Sequence, residues 1–142
     1  MALLLDTNIA SELRRSRSQR ADPRFAVWAA STDLTSAYVS VITLHEMRRG
    51  VLLTLRRDRA QGAVYQAWVD DLLDAFRGRI LDVTVDVADR AAIYHVPDPA
   101  PFADALIAGT AAVHGLTVAT RNTADFARFG VPLVNPWEGP SA

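Results

Sequence analysis

Hydrophobic positions follow two alternating rhythms along the chain. Short runs rich in Leu, Ile and Val occupy residues 2–5, 37–39, 80–83, 116–120 and 133–134 and read as strands. Between them, apolar residues recur at helical spacing over residues 7–15, 23–30, 42–55, 59–76, 86–94, 103–113 and 124–129. Gly78, Gly115 and Gly130 each follow a helical stretch and precede a strand, the place of a left-handed C-terminal cap. Strand and helix in alternation predict an α/β fold, a parallel sheet covered by helices on both faces. No repeat interrupts the order, and the polar stretch at residues 17–22 alone resembles an insertion, so one domain over residues 1–142 is expected.

Open parallel sheets bind ligands beyond the carboxyl ends of their strands, where strand order reverses. Four acids fall on that edge. The leucines of MALLLDTN run straight into Asp6, a residue type that strands use sparingly. VSVITLHEMRRG places Glu46 near the start of the helix after the second strand. APFADALIAGTAAVHG puts Asp104 in the first turn of a helix that is otherwise almost wholly apolar, hence buried. LTVATRNTADF leads a strand into a polar turn, with Asp125 in the first turn beyond. Each acid alone has a capping explanation: Asp6 as a helix cap, Thr43 to Glu46 as a capping box, Asp104 as a dipole acid, and Asp125 behind a cap at Asn122 or Thr123. Those explanations do not account for the shared edge. Clustered carboxylates repel and raise one another's pKa values, and a cation resolves the conflict.

The residue inventory narrows the choice of cation. The chain has no Cys, and His45 is the only histidine near these acids, so the donors are hard oxygens suited to Mg²⁺ or Mn²⁺ rather than Zn²⁺. HEMRR is no zinc-protease helix, because Arg49 stands where the second His belongs. With 142 residues, 50% hydrophobic and 22% charged, the chain suits a soluble globular domain with its own core. Its apolar runs fall short of a signal peptide and of the roughly 18 residues of a membrane span, which predicts a cytoplasmic protein with no membrane partner.

The net charge of −1 hides an asymmetry. Ten arginines face four acids between Leu13 and Arg59, while five face ten from Ala60 onward, so the N-terminal half is the anion-binding side. Arg14, Arg15, Arg48, Arg49 and Arg121 are candidate phosphate contacts. All fifteen basic residues are Arg, which removes the P-loop and lysine Schiff-base chemistry and weighs against phosphatase and receiver folds that need an active-site Lys. Trp28, Trp68 and Trp137 read as core or interface residues rather than base-stacking platforms, and His95 and His114 carry no assigned role.

Together LLLDTN, VSVITLHEMRRG, FADALIAGTA, TRNTADF and the terminal VNPWE resemble the PIN-domain nucleases, specifically VapC-type toxins of type II toxin–antitoxin systems and their FitB-like branch. The motifs occur in order over nearly the whole chain. The resemblance implies a three-layer α/β/α sandwich with a central parallel sheet of about five strands, ordered 3-2-1-4-5. It implies a Mg²⁺-dependent endoribonuclease (Mn²⁺ an alternative ion) leaving a 5′-phosphate and a 3′-hydroxyl. The catalytic acids fall on Asp6, Glu46, Asp104 and Asp125, with the metal on Asp6, Asp104 and Asp125 and the attacking water on Glu46. Thr7, Asn8, Thr120, Arg121 and Asn122 are expected to orient carboxylates or contact phosphate.

The implied partners are an RNA substrate, a VapB-type antitoxin whose tail blocks the site, and a second copy in a homodimer. DNA is met only through the antitoxin. Relatives commonly carry Ala at Gly109, where Gly is expected to loosen the helix by up to about 1 kcal/mol. They also often have a longer linker in place of the proline-rich YHVPDPAPFAD at the site entrance. Two other readings stay open: a catalytically silent PIN-like binding module, and a metal-dependent phosphatase on a small phosphoester.

Overall fold

The computed structural model describes residues 2–16 and 20–138; positions 17–19 of the polar 17–22 stretch, Arg17 included, lie outside the described residues. Five strands, β1 (Leu3–Leu5), β2 (Tyr38–Ser40), β3 (Ile80–Leu81), β4 (Thr117–Ala119) and β5 (Leu133–Val134), form one sheet in the order β3-β2-β1-β4-β5. All pairings are parallel, with Leu4 opposite Tyr38 on one side and Val118 on the other. Among the described residues seven α-helices surround it: α1 (Thr7–Ser16), α2 (Pro23–Ser31), α3 (Val41–Arg57), α4 (Arg59–Ala75), α5 (Val85–Ile93), α6 (Phe102–His114) and α7 (Thr123–Phe126). Strand number, direction and order match the expectations. Among the described residues no helix is long and apolar enough to cross a membrane.

β1 is uninterrupted leucine because both of its faces are covered. Leu4 joins Val118 and the apolar residues of α5 and α6, whereas Leu3 and Leu5 join Ile9, Phe25, Val39 and Trp137 on the opposite face. This is the two-residue alternation of a strand, with a core on each side. Each fully buried leucine is worth roughly 2 kcal/mol in removed apolar surface. Trp137 and Trp68 are buried and Trp28 packs on Phe25, so the tryptophans serve the interior as expected.

α3 and α4 form a hairpin about Asp58, whose amide donates to the Thr54 carbonyl while its side chain accepts from the Gln61 amide. Gly78, Gly115 and Gly130 have φ of 82°, 66° and 72°, the left-handed geometry their positions predicted. Gly109 departs from expectation. A Cβ there would lie 3.0 Å from the Val87 carbonyl oxygen and 3.3 Å from the Ala91 nitrogen, so this glycine lets α6 close on α5 rather than loosening it.

Candidate active site

β1 lies at the centre of the sheet, with β2 and β3 laid down on one side and β4 and β5 on the other. The switch point therefore falls between the carboxyl ends of β1 and β4. Asp6 follows β1 directly, and Thr120 follows β4. Glu46 sits in the second turn of α3, which leaves β2 without an intervening loop. α6 precedes β4 and runs against it, so its N-terminus, with Asp104 in the first turn, points to the same edge. Asp125 lies in the first turn of α7, beyond β4.

Asp6 is buried, and three groups accommodate its carboxylate. The Thr7 amide donates to Oδ1 at 2.8 Å, and the Thr120 hydroxyl and Asn8 amide donate to Oδ2 at 2.8 and 3.3 Å. Burial nevertheless holds its pKa above the ordinary aspartate range; the hydrogen bonds oppose this, and the nearby Glu46 charge adds to it.

Thr120, fully buried, is a hub. Its hydroxyl donates to Asp6 while accepting from Asn8 Nδ2 at 3.3 Å and from the Asn122 amide at 3.0 Å. Asn8 Oδ1 in turn accepts from the Arg121 amide at 3.2 Å. The DTN and TRN turns are thus tied to each other through side chains, which puts Thr7, Asn8, Thr120, Arg121 and Asn122 around one carboxylate.

Glu46 does not close a capping box. β2 ends on Ser40, whose side chain accepts from the Ile42 amide and caps α3 three residues earlier than Thr43. Glu46 is left for another use: its Oε1 accepts a 2.7 Å bond from the Thr7 hydroxyl. The Thr7 oxygen also lies 3.3 Å from the Thr43 hydroxyl, which is fully buried one helical turn before Glu46. Thr43, expected from the sequence as the cap, instead touches the Thr7 hydroxyl that holds Glu46; the signal for that role is the three-residue spacing that puts it on Glu46's face of the helix. The caps proposed for Asp125 also differ, since Asn122 takes the cap position of α7 without a side-chain cap bond.

Asp104 shows that the acids share one field. Its carboxyl is pushed up to about 6, first by burial and then by the charges of Asp6, Asp125 and Glu46. Asp104 therefore lies within electrostatic reach of the other three acids, and Asp6 within reach of Glu46. Among the described residues no three His, Asp or Glu side chains are gathered closely enough to hold an ion unaided. The all-oxygen set fits Mg²⁺, which keeps much of its water and is commonly bound by one or two carboxylates together with substrate phosphate. His45 is exposed.

The arginines divide. Arg121 lies at the acid edge, with its guanidinium 5.1 Å from the Trp137 ring centre, and Asn135 Nδ2 donates to its carbonyl at 3.5 Å. Arg48 instead pairs with Asp70 of α4 at 2.8 Å, and Arg14 stacks 4.1 Å over Tyr65. Arg14, Arg15 and Arg20 line a cleft of about 980 Å³ between α1 and α4, which none of the four acids lines. Arg49 is exposed on α3.

Known proteins share this fold. The chain is 38% identical over 144 residues to toxin FitB of Neisseria gonorrhoeae, covering 95% of this chain and 98% of that one. It is 32% identical over 148 residues to VapC ribonuclease Y4jK of Sinorhizobium fredii, covering 96% and 98%. A solved structure of FitAB bound to an IR36 DNA fragment superposes with a TM-score of 0.85 at 35% identity, covering 98% of each chain. Residues 3–132 match the family described as PIN domain, and with these relatives the chain belongs to the PIN-domain family, on its FitB and VapC toxin side.

Proposed function

We propose that the chain is the ribonuclease toxin of a toxin–antitoxin pair, cleaving RNA at the carboxylate cluster with Mg²⁺, or Mn²⁺ in its place. The observation that supports this is the placement of four acids on one sheet edge: Asp6 directly after β1, Glu46 in the second turn of α3 after β2, Asp104 in the first turn of α6 and Asp125 in the first turn of α7 beyond β4. Relatives named ribonuclease supply the substrate class. Asp6, Asp104 and Asp125 would hold the ion together with water and substrate phosphate. When bound, the ion supplies positive charge that offsets the carboxylates and stabilises charge developing on the scissile phosphate.

The chain's own residues do the rest. Thr7, Asn8 and Thr120 fix the Asp6 carboxylate, and Arg121, braced on Trp137, meets the RNA phosphate beside it. Glu46, oriented through Oε1 by Thr7, takes the proton of the attacking water at Oε2. The water oxygen bonds to phosphorus as the bond to the 3′-oxygen breaks. The leaving oxygen takes a proton from solvent water, and Glu46 returns its own proton to solvent, giving a 5′-phosphate and a 3′-hydroxyl.

One domain over residues 1–142 carries this activity, in the cytoplasm and as a homodimer. Its partner is an antitoxin, through which it meets DNA; the likeness to FitAB solved bound to a DNA fragment supports this reading. The test is incubation of antitoxin-free protein with total RNA, single-stranded DNA and a chromogenic phosphomonoester, in Mg²⁺ and in EDTA, with sequencing of new ends. Discrete 5′-phosphate RNA ends that require Mg²⁺ are expected. Cleavage of the phosphomonoester alone would make the protein a phosphatase, and metal binding with every substrate intact would make it a silent binding module.

A further inference from the structure

The proline-rich loop between α5 and α6 is fastened in an unusual way. Residues 97, 99 and 101 are proline and have no N–H to donate, so this segment is anchored chiefly through its carbonyls, which need an external donor. Arg128 supplies it. Its Nη1 donates to the Pro99 carbonyl at 3.0 Å, and its Nη2 to the carbonyls of Tyr94 at 3.1 Å and of Asp98. The guanidinium also lies 5.8 Å from the ring centre of Phe129, which packs on Tyr94 at 4.9 Å. At the loop's far end the Ala100 amide donates to His95 Nδ1 at 3.2 Å, and Ala100 and Tyr94 both pack against the α5–α6 core.

The position of this clamp gives it meaning. The loop runs into α6 at Phe102, two residues before Asp104, while Arg128 stands three residues after Asp125. One planar fork of donors therefore joins the segment carrying one acid to the loop that delivers the other. Surface arginines ordinarily pair with a single carboxylate, as Arg77 does with Asp74. Arg128 instead spends its guanidinium on three main-chain oxygens of one loop, a task the single ammonium of Lys serves poorly.

We propose that Arg128 is a positioning residue, which sets the separation of Asp104 from Asp125 by clamping the loop of residues 94–101 against the turn after α7. This rests on the reading of the four acids as an ion site. Arg128 touches neither substrate nor ion, and acts through Asp104.

The test compares wild type, Arg128→Ala, Arg128→Lys and, as a control, Arg77→Ala. It combines Mn²⁺ titration by electron paramagnetic resonance, hydrogen exchange resolved to peptides, and steady-state RNA cleavage. Both Arg128 variants are expected to weaken Mn²⁺ binding by about tenfold or more, the cost of disturbing a group that orients metal ligands. Exchange should quicken in residues 94–101 while β1 and β4 stay protected, and kcat should fall at saturating RNA with KM unchanged. Arg77→Ala should match wild type throughout. Wild-type Mn²⁺ affinity with unchanged loop exchange in Arg128→Ala overturns the clamp. So does a raised KM at unchanged Mn²⁺ affinity, which would make Arg128 an RNA contact. If Arg128→Ala loses protection in β1 and β4, Arg128→Lys, which keeps the charge, decides by the same readouts. Wild type that binds no Mn²⁺ overturns the ion site itself, and loop exchange still decides whether Arg128 clamps.

Discussion

At the scale of single residues, the site works by opposing burial to hydrogen bonding. Asp6 is the deepest of the four acids and the best furnished with donors, whereas Asp104 has three neighbouring charges and a pKa near 6. The sign of the consequence follows. An acid bound more tightly to its proton in the folded chain than in the unfolded one, where its value is near 3.8, favours folding at low pH. The contribution of Asp104 to the stability of metal-free protein should therefore be lost as pH rises from about 4 through about 6, by on the order of 1 kcal/mol once solvent screening of a partly exposed carboxyl is included. Asp104→Asn should then melt a few degrees above wild type at pH 7.5 and equal to it near pH 4, as read by calorimetry in EDTA. A difference between the two proteins that does not change with pH over that window would overturn the assignment. Thr120→Val keeps the shape of the hub and removes its hydrogen bonds to Asp6, Asn8 and Asn122. It is expected to lower Mn²⁺ affinity by roughly 10–100-fold, as loss of a ligand-orienting group does, and fluorescence-monitored titration would measure it.

Elements fix where those residues stand, and glycine marks the two tightest contacts between them. A Cβ on Gly62 would lie 2.6 Å from the Leu55 Cα, within the α3–α4 hairpin, and one on Gly109 would lie 3.0 Å from the Val87 carbonyl. Alanine gains about 1 kcal/mol of helix propensity at either site. Overpacking against backbone costs roughly 1–3 kcal/mol. Gly62→Ala should therefore destabilise the protein clearly, and Gly109→Ala should come out near neutral or mildly destabilising, by urea melts followed with circular dichroism. Equal stabilisation of both variants would show that neither approach is tight.

What the sequence made legible at this scale is uneven for a physical reason. Strands and helices followed from the period of apolar residues, because burial on two faces forces runs like LLL and burial on one forces the helical stripe. The N-terminal caps of α3 and α7 did not follow. Whether Ser40 or Thr43 caps α3 depends on where β2 stops pairing with β3, and the polar letters alone do not show it. The role of Gly109 was hidden likewise, since it depends on a helix that is distant in sequence.

Over the whole molecule, chain topology turns four scattered carboxylates into one edge. The strand order came from likeness to a family; periodicity gave only strand number and direction, and the crossovers are long-range facts. The placement of the acids on that edge was legible, because each stood just beyond a strand or within the first two turns of a helix. Their supporting groups were only partly so: Thr7, Asn8 and Thr120 lie next to the motifs, but Thr43 is recognisable only from helix geometry.

The central claim is that Asp6, Glu46, Asp104 and Asp125 act as one divalent-ion site serving RNA cleavage. The most direct measurement is Mn²⁺ binding, by titration, to wild type and to Asp6→Asn, Glu46→Gln, Asp104→Asn and Asp125→Asn, each also assayed for RNA cleavage. Wild type should bind the ion, the three aspartate variants should bind it at least tenfold more weakly, and Glu46→Gln should bind it yet fail to cleave. Equal Mn²⁺ binding by all five proteins, with cleavage retained in Asp104→Asn, would contradict that claim.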